Sequence, residues 1–135
     1  MSVAYRAYAS DVTITADQNT VAKPTGTVVG DILIAIVAFK GGSGVTVTPP
    51  AGFTLLPGSR VDRGTTIGVE VHYYVYASGS SFVWTYSGET WAGVFLVAVK
   101  GGELQDILDG LSVDSNVPVA GELSHLPGLS LSFDH

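Results

Sequence analysis

Two unbroken apolar runs, ILIAIVAF from Ile32 to Phe39 and WAGVFLVAV from Trp91 to Val99, do most to restrict what this chain can become. Both fall far short of the roughly 18 apolar residues that a membrane-crossing helix needs. Neither has the three-and-four spacing of an amphipathic helix, and no other long stretch has it either. Each is closed by a Lys-Gly-Gly turn, at Lys40-Gly41-Gly42 and Lys100-Gly101-Gly102. They read as strands, and as strands buried on both faces. An antiparallel strand usually buries one face and wets the other. A run apolar on both lies mid-sheet beneath a covering layer, or turns its outer face to a neighbouring subunit.

The other strand signals alternate. Val12-Thr-Ile-Thr15 is one, and Val45 and Val47 with threonines between and after them are another. From Thr65 to Tyr76 the odd positions Val69, Val71, Tyr73 and Val75 are apolar, while the even ones carry Glu70, His72, Tyr74 and Tyr76. Phe82, Trp84 and Tyr86 share one face of the segment after Gly79, and Leu129, Leu131 and Phe133 share one face of a last segment. Clusters of Gly, Pro, Ser and Asp separate these pieces, the pattern of a sandwich or barrel. Leu104 to Asp109 fits a single helical turn ended by Gly110. With 135 residues and no second composition regime, the expectation is one all-β domain over 1–135, an antiparallel, jelly-roll-like β-sandwich. The terminal strand is expected to be ordered, paired with the sheet or with the edge of a neighbouring copy.

Composition narrows the function classes. Charged residues make up 13% of the chain, against roughly 25% in ordinary soluble domains. Mean hydropathy is +0.37. A domain of this size leaves a large share of its surface in water, so part of that surface is expected to be covered by other protein. The net charge of −6 and the scatter of Lys23, Lys40, Lys100, Arg6, Arg60 and Arg63 argue against nucleic acid. No membrane partner is expected. The start, MSVAYRAYASDVTI, lacks the basic region and apolar core of a secretory signal, which leads one to expect a product that stays where it is made. Without cysteine there is no disulfide, thiolate nucleophile or sulfur ligand.

Few residues of the chain offer chemistry. His72, His125 and His135 are too far apart for one element to offer paired metal ligands. Lys40-Gly-Gly-Ser-Gly44 follows a strand and precedes another, which fits a hairpin-like turn better than a phosphate cradle. Asp106, Asp109, Asp114 and Asn116 form a local oxygen cluster, but their spacing is not that of an EF-hand. No pair of carboxylates is singled out for acid–base work. The expectation is therefore no catalytic residue, no metal, no cofactor and no enzyme. His72, Tyr74 and Tyr76 share one strand face; they form either a contact surface for glycan or protein, or packing beneath a loop, against another sheet or against a subunit.

Four segments together carry a resemblance: PTGTVVGDILIA (24–35), TPPAGFTLL (48–56), VHYYVY (71–76), and FVWTY (82–86) followed by WAGVFLVAVKG (91–101). In this order they resemble a β-sandwich module that recurs in tailed-phage virion proteins and some bacterial surface proteins. Phe53 stands where the family often has Trp, and Val99-Lys-Gly replaces an aromatic-rich ending. Relatives often continue with further strands. Proline has no N–H to give a sheet, so Pro49-Pro50 is expected to form a stiff corner, with Gly52 allowing positive φ and Phe53 anchoring the return to the core. What the resemblance implies is a non-enzymatic structural component of a phage virion: a capsid decoration or cement protein, or a tail module, assembled in the host cytoplasm. Its partners would be other virion proteins and further copies of itself. The alternative is a carbohydrate- or receptor-binding module, with His72, Tyr74 and Tyr76 as the contact face.

Overall fold

The computed structural model describes residues 4–100, apart from the side chains of Ile14, Thr15 and Glu89. The expected helical turn at 104–109, the terminal strand with Leu129, Leu131 and Phe133, the Asp106–Asn116 cluster, His125 and His135 lie outside the described residues.

Seven strands follow in chain order: β1 (Ala4–Ala22), β2 (Ile32–Lys40), β3 (Val47–Thr48), β4 (Thr54–Leu55), β5 (Val61–Arg63), β6 (Ile67–Val75) and β7 (Ser81–Lys100). All pairings are antiparallel, in the order β1-β7-β2-β6-β4, with β3 beside β7 and β5 beside β6. The all-β, antiparallel expectation is met. The two separate sheets of a jelly-roll-like sandwich are not what the topology shows: the seven strands belong to one sheet, curled into a half-barrel.

The curl has a local cause. β1 and β7 run together along their lengths, Ala4 opposite Lys100 at one end and Ala22 opposite Ser81 at the other. Between them the register slips: from Ala16 to Gln18 on β1, the partner on β7 moves from Thr90 to Thr85. The surplus residues, in the stretch Tyr86-Ser-Gly-Glu89, bend the strand, as extra residues in a ladder do. One half of β7 pairs with β2, from Ala92 to Val99. The other half leaves β2, takes β3 as its neighbour at Thr85 and Tyr86, and folds back over the main sheet.

Alternation then builds the core. Even-numbered residues of β7 face inward on both sides of the bend: Phe82, Trp84 and Tyr86 on the folded strip, Ala92, Val94, Leu96 and Ala98 on the main sheet. They close on Leu33, Ala35, Val37 and Phe39 of β2, with Val21, Val47 and Phe53. Each large side chain so buried is worth roughly 1.5–3 kcal/mol, so the strip and the sheet hold each other.

Pro49 and Pro50 lie in the connection from β3, on the folded strip, to β4, on the far side of the main sheet. The Phe53 amide donates to the Pro50 carbonyl at 3.1 Å, and Gly52 at φ 91° completes that turn. Phe53 enters the core with its ring 5.1 Å from those of Tyr74 and Trp84.

The glycine-rich loop after β2 is a single 3₁₀ turn, Gly42–Gly44. Its amides are used within the fold: Ser43 N–H donates to the Gly64 carbonyl at 2.9 Å, and Gly44 N–H to that of Gly41 at 3.1 Å. A Cβ on Gly42 would lie 2.2 Å from the Gly64 carbonyl oxygen, and its φ is +52°. Gly42→Ala is therefore expected to destabilise the fold by about 1–3 kcal/mol through backbone strain. Urea denaturation of the two proteins measures it; an unchanged midpoint counts against the close approach.

Candidate interaction surface

Inside the half-barrel, β6 supplies Glu70, His72 and Tyr74 to the inner face. Cross-strand pairing sets Glu70 opposite Val37, His72 opposite Ala35 and Tyr74 opposite Leu33, so these even-numbered residues share the face of the β2 core residues. Trp84 Nε1–H donates to His72 Nδ1 at 3.1 Å. An indole N–H can only donate, so Nδ1 is the acceptor and the proton sits on Nε2, which donates to Glu70 Oε2 at 2.6 Å. The other carboxylate oxygen accepts from Arg60 Nη1 at 2.8 Å. Arg60 also donates to Asp62 at 2.8 Å and to the carbonyls of Gly42 and Val45 at 3.0 and 2.6 Å, while its guanidinium lies over the Phe39 ring. Burial alone would push the Glu70 carboxyl up. The hydrogen bonds from His72 and the Arg60 cation outweigh it and hold the group below its ordinary value.

This network is built from catalytic residue types, yet both ring nitrogens of His72 are engaged and the residue is fully buried. The imidazole has no free nitrogen to offer a substrate. The network as a whole locks β6, β7 and the loop before β5 to one another, Glu70 joining His72 to Arg60.

His72, Tyr74 and Tyr76 do share a strand face, and it is the inward one. His72 and Tyr76 are buried, and Tyr74 is half-buried against Phe53. The Tyr74 hydroxyl accepts from the Ala77 and Ser78 amides, both at 3.2 Å, and so shapes the turn after β6. The trio is not an exposed platform.

The opposite face of the main sheet is different. It carries the odd-numbered residues of β6 and β7 and the even-numbered residues of β2. Towards one end, Ile32, Ile34, Ile36, Val71, Val97 and Val99 are buried. Towards the other, large apolar side chains stand in solvent: Val12 is 70% exposed, Tyr8 56%, Trp91 53%, Ile67 42% and Phe95 37%. They are contiguous. Tyr8 stacks on Phe95 with ring centroids 4.9 Å apart. Val12, Ala38, Ile67, Trp91 and Gly93 line a shallow groove of about 420 Å³. Lys40 reaches over the Trp91 ring at 5.9 Å, at the rim of the patch.

The runs around Trp91 and Phe95 signalled this face in the sequence. Tyr8 and Val12 did not, because nothing in β1 announces which strand it joins. The half-open antiparallel barrel with one apolar outer face defines the class of architecture. Comparison with family models, with curated proteins and with solved structures finds no match to this chain.

Proposed function

We propose that this protein is a non-enzymatic structural component of a phage virion, a capsid decoration or cement protein or a tail module, that works by packing its outer sheet face against other protein. The observation that carries the reading is the exposed, contiguous apolar patch of Tyr8, Val12, Ile67, Trp91 and Phe95. Patches of this kind mark interaction sites, and aromatic side chains are enriched at the core of interfaces. The low charged fraction supports it, as does the resemblance of residues 24–101 to virion β-sandwich modules. The strip of β1, β3 and β7 folded over the main sheet is compatible with a sandwich of that kind.

Two measurements test it. Mass spectrometry of density-purified virus-like particles from the cell that encodes the chain is expected to find its peptides at stoichiometric level; complete particles without them overturn the virion reading. Sedimentation velocity of the purified chain at micromolar concentration is expected to show self-association that Trp91→Glu removes. Trp91 is a surface residue, so that substitution should leave stability within about 0.5 kcal/mol. A wild-type chain that sediments as a clean monomer, and a variant indistinguishable from it, argue against packing through this face.

A further inference from the structure

β1 ends the sheet. It pairs with β7 along one side, and among the described residues nothing pairs with the other. An open strand edge is a row of unpaired N–H and C=O groups, which proteins commonly protect with lysine, proline or a bulge. β1 contains neither lysine nor proline. Its register slips at Arg6 and again between Thr13 and Gln18, and these bound a regular stretch: Ala7 opposite Ala98 through to Thr13 opposite Ala92. The charges there are turned away from the edge. Asp11 accepts from the Asn19 side chain at 3.0 Å and the Thr20 amide at 3.3 Å, and beyond the first slip Arg6 is held by Asp31 at 2.6 Å.

We propose that the free edge of β1 over residues 7–13 pairs antiparallel with the same stretch of a second copy, about a two-fold axis at Ser10. The inference rests on the self-association in the function proposed above and names how the copies meet.

The register follows from four constraints. Residues directly opposite in an antiparallel pair share a face, so a shift by one residue would set outward Tyr8 against inward Ala9. Centring on Asp11 would place two aspartates opposite each other, which is repulsive. Centring on Ala9 would bring the Arg6 irregularity into the ladder and shorten it. Centring on Ser10 uses the whole regular stretch: Ser10 meets Ser10, Tyr8 meets Val12 of the second copy, and Asp11 meets Ala9. An aromatic residue opposite a β-branched one is a favourable cross-strand pair. The two outer patches then join across the axis, since Tyr8 and Val12 lie on that face beside Phe95 and Gly93. A self-complementary edge of this kind makes a closed, isologous dimer.

The chain has no cysteine, so Ser10→Cys introduces a single thiol. Opposed residues across an antiparallel ladder have Cα atoms about 4.5–5.5 Å apart, within disulfide range. Mild oxidation of Ser10→Cys at micromolar concentration is expected to give mostly covalent dimer, and Ser80→Cys, on the exposed turn before β7, mostly monomer. Adding Tyr8→Lys, a charge on the edge, is expected to slow cross-linking about tenfold, with the reduced protein still folded although its stacking on Phe95 is lost. If wild type associates in the ultracentrifuge yet Ser10→Cys does not cross-link, or cross-links no faster than Ser80→Cys, edge pairing is wrong and packing through the outer face stands. If wild type does not associate at all, both fall.

Discussion

Replacing Glu70 with alanine should destabilise the fold by about 3–5 kcal/mol, the range for removing one partner of a buried charged pair. Glu70 is buried, and each of its oxygens has one partner, Arg60 and His72. Without it, the His72 Nε2–H loses its acceptor in the core, and Arg60 keeps only Asp62 and two carbonyls. The replacement Glu70→Gln keeps the shape and tests the charge. Its amide can accept from one neighbour but presents a donor to the other, so it should recover only part of the loss. Urea denaturation gives both values. If Glu70→Ala stays within 1 kcal/mol of wild type, as an exposed ion pair would, the network contributes far less than its burial implies.

The same carboxylate sets an acid limit. Its folded-state value lies below its ordinary 4.5, so between the two values the unfolded chain binds the proton and the folded chain does not. Stability therefore rises with pH in that window. The contribution is fully present above about 4.5 and is lost as pH falls through the lower, folded value. Melting temperatures from pH 3 to 7 should drop on the acid side for wild type and change less for Glu70→Gln.

Parts of this architecture are written plainly in the residues. β2 is recognisable because it is apolar from Ile32 to Phe39, β6 because its valines alternate with Glu70 and His72, and Pro49-Pro50 marks the corner because proline cannot serve a ladder. β7 is harder. Ser87-Gly88 looks like a turn between two strands, but the even-numbered residues keep the same inward parity from Phe82 to Ala98, as one bent strand requires. β1 is nearly invisible beyond Val12-Thr-Ile-Thr15, since an edge strand interrupted by register slips loses its period three times. The polar network was out of reach for another reason. His72 and Glu70 sit on the face opposite the valines, as alternation says, but which face is inward depends on β2 pairing and on Trp84 folding over from the far end of the chain. Tyr8, Val12, Trp91 and Phe95 come together only through the same long-range pairing.

Phe53→Ala should cost about 3–5 kcal/mol, the range for deleting a buried aromatic side chain. The ring meets three others: its centroid is 5.1 Å from those of Tyr74 and Trp84 and 5.3 Å from that of Phe82, while Tyr74 in turn touches Tyr76. Tyr74 belongs to the main sheet, and Phe82 and Trp84 to the folded strip, so Phe53 lies between the two walls of the half-barrel. The segment that delivers it is short and stiff: β3 ends at Thr48, the Pro50–Phe53 turn follows, and β4 begins at Thr54. A corner so constrained cannot move inward to fill the space the ring leaves, and an unrelaxed cavity adds to the loss of buried area. Phe53→Trp asks the complementary question, whether the larger ring fits; overpacking there should cost about 1–3 kcal/mol. Both are read from urea midpoints, with near-ultraviolet circular dichroism of Trp84 reporting whether the aromatic cluster keeps its order. A Phe53→Ala protein that loses less than about 1.5 kcal/mol would mean that the walls hold together without the corner, and that the Pro-Pro turn only connects strands.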